Sequence, residues 1–187
     1  MDDSVKKQID DMDSHMSRTI EHLKLEFQKI RAGKASPDML SSVMVPYYGT
    51  PTPIHQVANI SVVDARTLSA TPWERNLITT VEKAIRDANL GLNPSSDGES
   101  VRIVIPSLTE ERRKQLVKQA KEEAEKAKIA LRNIRKDSID HLKQLQKKGV
   151  SEDEVKNAEK KVQDIINAYT HKVDTAMKEK EDQIMTV

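Results

Sequence analysis

The sequence predicts an α+β chain: three long helices drawn from its two ends form a bundle, and a small α/β domain is inserted between the first and the second. Two observations carry this. All seven prolines fall between Pro37 and Pro106 and four of the five glycines between Gly33 and Gly98, so both ends are free of helix breakers while the middle is full of them. The ends carry apolar residues at helical spacing, whereas the middle contains short alternating runs. A length of 187 residues allows one ordinary domain or two small ones.

Residues 1–30 read as the first helix. Val5, Ile9, Met12, Met16, Ile20, Leu23, Phe27 and Ile30 recur at steps of three and four, one face of a 3.6-residue period. Asp2, Asp3 and Ser4 suit its N-terminal cap and the positive end of its dipole.

Residues 31–106 read as the insertion. Val43, Val45 and Tyr47 alternate before the turn-rich stretch from Tyr48 to Pro53, and Val57–Val63 and Arg66–Thr71 are further strand candidates. Arg75–Asn89 carries Leu77, Ile78, Val81, Ala84, Ile85 and Ala88 as a short amphipathic helix, which Leu90-Gly91 closes. Asn93-Pro94 opens a turn, and Asp97-Gly98 is a turn signal before the alternating strand Val101, Ile103, Ile105. Trp73 and the Tyr47-Tyr48 pair are assigned to core or turn packing. Two connections join this domain to the bundle, near Arg31-Ala32-Gly33 and near Pro106-Ser107. A hinge and a rigid junction both fit a Gly and a Pro placed there.

Residues 108–148 read as the second helix, with Thr109 as a cap and Glu110 and Glu111 in the first turn. Its inward set is Val117, Ala120, Ala124, Ala127, Leu131, Ile134, Ser138, His141 and Leu145, a heptad seam. Gly149 ends it in the left-handed position, and Ser151-Glu152-Asp153-Glu154 is a capping box opening the third helix. The apolar set there is Val155, Ala158, Val162, Ile165, Tyr169, Val173, Ala176 and Ile184. None of the three stripes can be buried alone, which is why they imply a bundle.

The formal net charge is +1, but it hides a segregation. Residues 110–148 hold 13 Lys/Arg against 7 Asp/Glu, while residues 1–30 and 149–187 are net acidic. Lys114, Lys118, Lys121, Lys128, Arg132 and Arg135 line one face of the second helix, about 100° round from the seam, with Glu125 interrupting the row. Arg112, Arg113 and Lys136 widen it. Such a face suits a phosphate backbone. It equally suits a solvated helix face laced by i,i+4 pairs, of which Glu110–Lys114 and Glu122–Lys126 are examples.

Other chemistry is sparse. There is no cysteine, hence no disulfide framework and no thiol nucleophile. No apolar run approaches the roughly 20 residues of a membrane span, and the acidic N-terminus resembles neither a secretory signal nor a transit peptide. His15 and His22 share a face without a third ligand, and His55, His141 and His171 are scattered. No P-loop, Rossmann glycine pattern or nucleophile elbow is present. No metal or cofactor is expected, and the carboxylates, plentiful on polar helix faces, do not by themselves reveal a paired acid–base dyad.

Six blocks now stand out in order: Ile30-Arg31-Ala32-Gly33-Lys34-Ala35-Ser36-Pro37; Tyr47-Tyr48-Gly49-Thr50-Pro51-Thr52-Pro53-Ile54; Leu90-Gly91-Leu92-Asn93-Pro94; Ile105 through Lys114; Leu131-Arg132-Asn133-Ile134-Arg135-Lys136-Asp137; and Val150 through Glu154. In this order and spacing the chain resembles the ribosome recycling factor family, over essentially its whole length. The resemblance implies a long antiparallel three-helix bundle with a small β-rich α/β domain on a flexible hinge, L-shaped like a tRNA. It implies a monomeric, non-enzymatic translation factor of the bacterial cytoplasm. Such a factor binds the large ribosomal subunit after termination and, with elongation factor G and the GTP that partner hydrolyses, separates the subunits and frees the mRNA. It implies no membrane partner. Carried over by position, Arg112, Arg113, Arg132 and Arg135 match the family's arginine pattern and are rRNA candidates, with Lys121 and Lys128 beside them. Lys136 and Lys34 stand where the family commonly has arginine; both keep the charge and lose the planar fork. Arg31, Gly33, Pro106 and Ser107 map to the hinge.

Overall fold

The structure is a computed structural model and describes residues 2–186. These residues fall into two compact units. One takes the chain up to Ala32 and from Glu110 onward; the other is Gly33–Thr109.

The first unit is three helices. α1 spans Asp3–Lys29, and the Asp2 carboxylate caps it by accepting from the Ser4 N–H at 2.8 Å. α3 spans Glu110–Lys147 and α4 spans Glu152–Met185. At 1.5 Å per residue the 38 residues of α3 run about 57 Å. Between α3 and α4, Gly149 sits at φ 112° and the Ser151 hydroxyl accepts from the Glu154 N–H at 3.2 Å, as the capping-box pattern requires. Lys128 meets Asp174 and Arg135 meets Gln163, so α3 and α4 are antiparallel. The core layers are Val5, Met12, Met16, Leu23 and Phe27 of α1, Ala120, Ala124, Leu131 and Leu142 of α3, and Val155, Ala158, Val162 and Val173 of α4. The Tyr169 hydroxyl donates to the Asp13 carboxylate at 2.9 Å and joins α4 to α1.

Two seam assignments need correction, and four more residues of the predicted stripes are only half-buried. His141 is exposed and Leu142 is buried in its place. From Leu131 to Leu142 the stripe advances 11 residues in three turns, closer to the roughly 3.6 per turn of a straight α-helix than to the 3.5 of a strict heptad, which would demand left-handed supercoiling. The same drift buries Ile166 instead of Ile165 in α4. Ile9 of α1, Ile134 and Leu145 of α3 and Ala176 of α4 are half-buried. Lys180 occupies an inward position of α4 between Val173 and Ile184. Its aliphatic stem supplies the apolar contact there, its ammonium donates to Gln183 at 3.3 Å, and burial pushes its pKa below the usual lysine range.

The second unit holds β1 (Met44–Tyr47), β2 (Thr50–Pro53), β3 (Ala58–Asp64), β4 (Thr67–Pro72), α2 (Ile78–Asp87), β5 (Asn93–Ser96) and β6 (Val101–Val104). β1 and β2 form a hairpin, and the other four strands form an antiparallel sheet in the order β3-β4-β6-β5. α2 packs against β1, β4, β5 and β6. Leu40, Val43, Val45, Ile54, Leu68, Val81, Ile85, Val101 and Ile103 fill the core.

β2 and β5 fall on segments predicted to be turns, because both contain proline. Each lies at an edge, with one neighbouring strand, where a missing N–H breaks no ladder. α2 stops before the predicted Leu90-Gly91: Asn89 takes φ 53°, a left-handed conformation that asparagine tolerates. A short 3-10 turn at Arg75–Leu77 precedes α2 where continuous helix was expected. Trp73, assigned to packing, is 65% exposed and belongs neither to the aliphatic core nor to the residues packed against it.

Candidate nucleic-acid interface

The basic residues of α3 divide into two groups according to what α4 offers them. Lys114, Lys118 and Lys121 are exposed and line a shallow groove together with Val117, Glu181 and Met185. Arg132 and Lys136 are also exposed. The Arg132 guanidinium lies 3.5 Å from Glu125, the acid that interrupts the row, and both side chains remain mostly in solvent. A pair so exposed is worth at most about 1 kcal/mol, so Arg132 can exchange it for another anion.

Lys128 and Arg135 lie closer to the seam. The Lys128 ammonium is 2.6 Å from the Asp174 carboxylate, and its side chain is 27% exposed against 61% for Arg132. Arg135 donates from Nη1 to the Gln163 carboxamide at 3.2 Å, while its Nε is buried without a hydrogen bond. Near the start of α3, Arg112 is exposed and donates to Gln115 at 3.2 Å, and Arg113 is half-buried. The seven expected rRNA contacts therefore sit on one helix, but Arg112, Lys121, Arg132 and Lys136 are open to solvent while Arg113, Lys128 and Arg135 are partly enclosed.

The flanking ion pairs also differ from the spacing argument in one place. Glu110–Lys114 forms at 3.6 Å. Lys126 pairs with Glu123 at 3.2 Å instead of Glu122. Glu123 and Lys126 lie on the flank that faces α1, beside Arg18, His22 and Leu23. Sequence reasoning found the basic face but missed Asp174 and Gln163. Both lie on α4, and their register against α3 is not legible from either helix alone.

The hinge candidates are placed as follows. Arg31 is exposed, just past the end of α1. Gly33 takes φ 75°. Pro106 is exposed, and the Ser107 hydroxyl accepts from the Arg66 guanidinium. Ile105 donates its N–H to the Arg66 carbonyl at 2.8 Å, so the chain around Pro106 is fastened to the end of the β3–β4 turn.

A family model described as "Ribosome recycling factor" matches residues 23–185. The ribosome-recycling factor of Amoebophilus asiaticus is 52% identical over 185 residues, covering 99% of this chain and all of that protein. The chain belongs to the ribosome recycling factor family. A second member, from Pelobacter propionicus, is 50% identical over 97% of the chain. The solution structure of a ribosome recycling factor matches the whole chain with a TM-score of 0.72 at 33% identity. A second solved relative, the Thermus thermophilus ribosome recycling factor, matches 97% of this chain and 99% of its own at 41% identity, with a TM-score of 0.60. That relative is described with Escherichia coli elongation factor G, bound to the post-termination complex. All of α3, and hence the whole basic face, lies inside the part matched by the ribosome recycling factor model. Among the described residues no helix is long and apolar enough to cross a membrane, and no three His, Asp or Glu side chains are grouped to hold a metal ion.

Proposed function

We propose that this chain binds post-termination ribosomes in the bacterial cytoplasm and, together with elongation factor G and GTP, splits them into subunits, releasing them from mRNA. The work is done by binding and movement; GTP is hydrolysed by the partner, and this chain acts as a monomer without catalysis of its own. The observation that carries the reading is the exposed basic face of α3 in a member of the family that spans the whole length of the relative it matches. It presents Arg112, Lys121, Arg132 and Lys136 to solvent, with Arg113, Lys128 and Arg135 beside them. Folded rRNA is recognised largely through phosphate, 2′-OH and shape, which a rigid row of cations on a long helix suits. The solved relative described on a post-termination complex with elongation factor G supports the same partners.

In this reading the helical unit is the ribosome anchor, and the inserted domain of residues 31–106 swings about Arg31, Gly33, Pro106 and Ser107. A left-handed glycine at one connection and a proline, which donates no hydrogen bond, at the other support it. The deciding experiment is subunit splitting of purified post-termination ribosomes. Splitting is expected only when this protein, elongation factor G and GTP are all present; splitting that does not need this protein overturns the reading. An engineered disulfide fastening both connections is expected to spare binding and abolish splitting, and full splitting by the locked protein defeats the hinge.

A further inference from the structure

On the inserted domain, among residues that neither the basic face nor the hinge reading uses, the β1–β2 hairpin and the end of β4 bring three aromatic rings and one carboxylate together. Tyr47, Tyr48, Trp73 and Glu74 line an open groove of about 480 Å³, with Thr50 and Val57 among its walls. Tyr48 is 76% exposed and Trp73 also stands in solvent. The two tyrosine rings meet edge to face at 4.6 Å. Each phenol donates to a different oxygen of Glu74, Tyr47 at 3.1 Å and Tyr48 at 3.0 Å.

Two features make this more than surface packing. Tyr48 and Gly49 are the two-residue loop of the hairpin, and Tyr48 sits at φ 48°. That turn favours asparagine or glycine at its first position, and a large aromatic there is disfavoured. The unfavoured residue is what delivers its hydroxyl to Glu74. The second feature is charge. Glu74 is half-buried and is the one charged residue lining the groove, and no cation pairs with it among the described residues; the neighbouring Arg75 turns to Glu99 at 3.5 Å. With one phenol on each oxygen, each oxygen keeps a lone pair free.

We propose that this groove is a docking site for an arginine side chain of a protein partner, whose guanidinium pairs with Glu74 and stacks on the exposed Trp73 and Tyr48 rings. A planar cation matches both parts of the groove, because ring faces attract it and the carboxylate takes its fork. A nucleic-acid strand could stack its bases on the same rings, but its phosphates would meet, in Glu74, the one charge lining the groove, and that charge has the wrong sign. The proposal does not depend on what the basic face of α3 binds.

Trp73 is the only tryptophan in the chain, so its emission reads this groove directly. The full-length protein is titrated with the peptide acetyl-Gly-Arg-Gly-amide, with its citrulline counterpart and with hexauridylate. The arginine peptide is expected to give a saturable change and the other two none. E74Q should weaken the peptide about tenfold, the ratio for losing a charge-assisted pair, while D87N, at an exposed carboxylate of α2 outside the groove, leaves it unchanged. T50K, which sets a competing ammonium at the rim, should abolish it, and circular dichroism shows that each variant is folded. No saturable change with the arginine peptide, equal affinity in E74Q and the parent, or saturation by hexauridylate each overturns the proposal.

Discussion

Gly33 and Leu108 touch where the chain enters and leaves the inserted domain: a Cβ built on Gly33 would stand 2.9 Å from Leu108 Cγ and 3.1 Å from its Cδ1. The two residues are 75 positions apart in sequence, yet both belong to the same compact unit. Two demands fall on Gly33 at once, a backbone at φ 75° and a face with no side chain. G33A should therefore destabilise the inserted domain by about 1–3 kcal/mol, combining left-handed strain with overpacking. In the double variant G33A/L108A the overpacking part is relieved while the backbone part stays, so the two effects should be non-additive by about 1 kcal/mol. Denaturant unfolding of the four members of the cycle measures this, and strict additivity would refute the contact.

Leu142 and His141 offer a second test, within α3. Leu142 is fully buried and His141 exposed. L142A should cost about 2–5 kcal/mol in urea unfolding and H141A less than about 0.5 kcal/mol. The reverse ranking would restore the heptad seam.

That pair also illustrates how far the sequence could be read. Helix number, their ends and most of the buried stripes follow from local signals: Asp2 and Ser151 cap, and Gly149 turns. The error at His141 is one residue in a long helix, where a 3.5 and a 3.6 period separate by about 20° per heptad. The strands at Thr50–Pro53 and Asn93–Ser96 were hidden because proline is a local breaker, while its tolerance at an edge depends on sheet order, which is not local. The basic face was legible for the same reason as the helices, being a spacing on one element. Asp174 beside Lys128 and Glu74 beside Tyr47 and Tyr48 were not, since each joins elements 26 or more residues apart.

The Asp97 carboxylate closes the turn between β5 and β6. It accepts from the Ser100 N–H at 3.0 Å and the Glu99 N–H at 3.1 Å, and these bonds hold its pKa below the usual aspartate range. A depressed folded pKa stabilises the fold above the unfolded pKa, about 3.9, and that contribution is lost as pH falls through the folded value. The stability difference between the parent and D97A should accordingly be widest at neutral pH and shrink below about pH 4. Thermal unfolding across pH 2–7 checks it; a gap that is constant or widens in acid would show that the carboxylate is not the cause.

Arg132 and Lys128 should contribute unequally to ribosome binding, although they are four residues apart on the same face. Arg132 keeps an exchangeable partner in Glu125, whereas the Lys128 ammonium is already 2.6 Å from Asp174. A cation that neutralises one phosphate adds close to one to the slope of log affinity against log salt. R132A should thus lower that slope for large-subunit binding by about one, and R132A/R135A should lower both affinity and slope further. K128A should change them much less, because part of its charge is spent inside the bundle. Removing the competitor distinguishes this from a Lys128 that is simply out of reach: in a D174N background Lys128 is released, and K128A should then cost slope as R132A does. Sedimentation or filter binding across a salt series measures all of these variants. A K128A effect as large as that of R132A in the parent protein would mean that the Asp174 pair yields to rRNA, and with it the ranking by solvent exposure would fail.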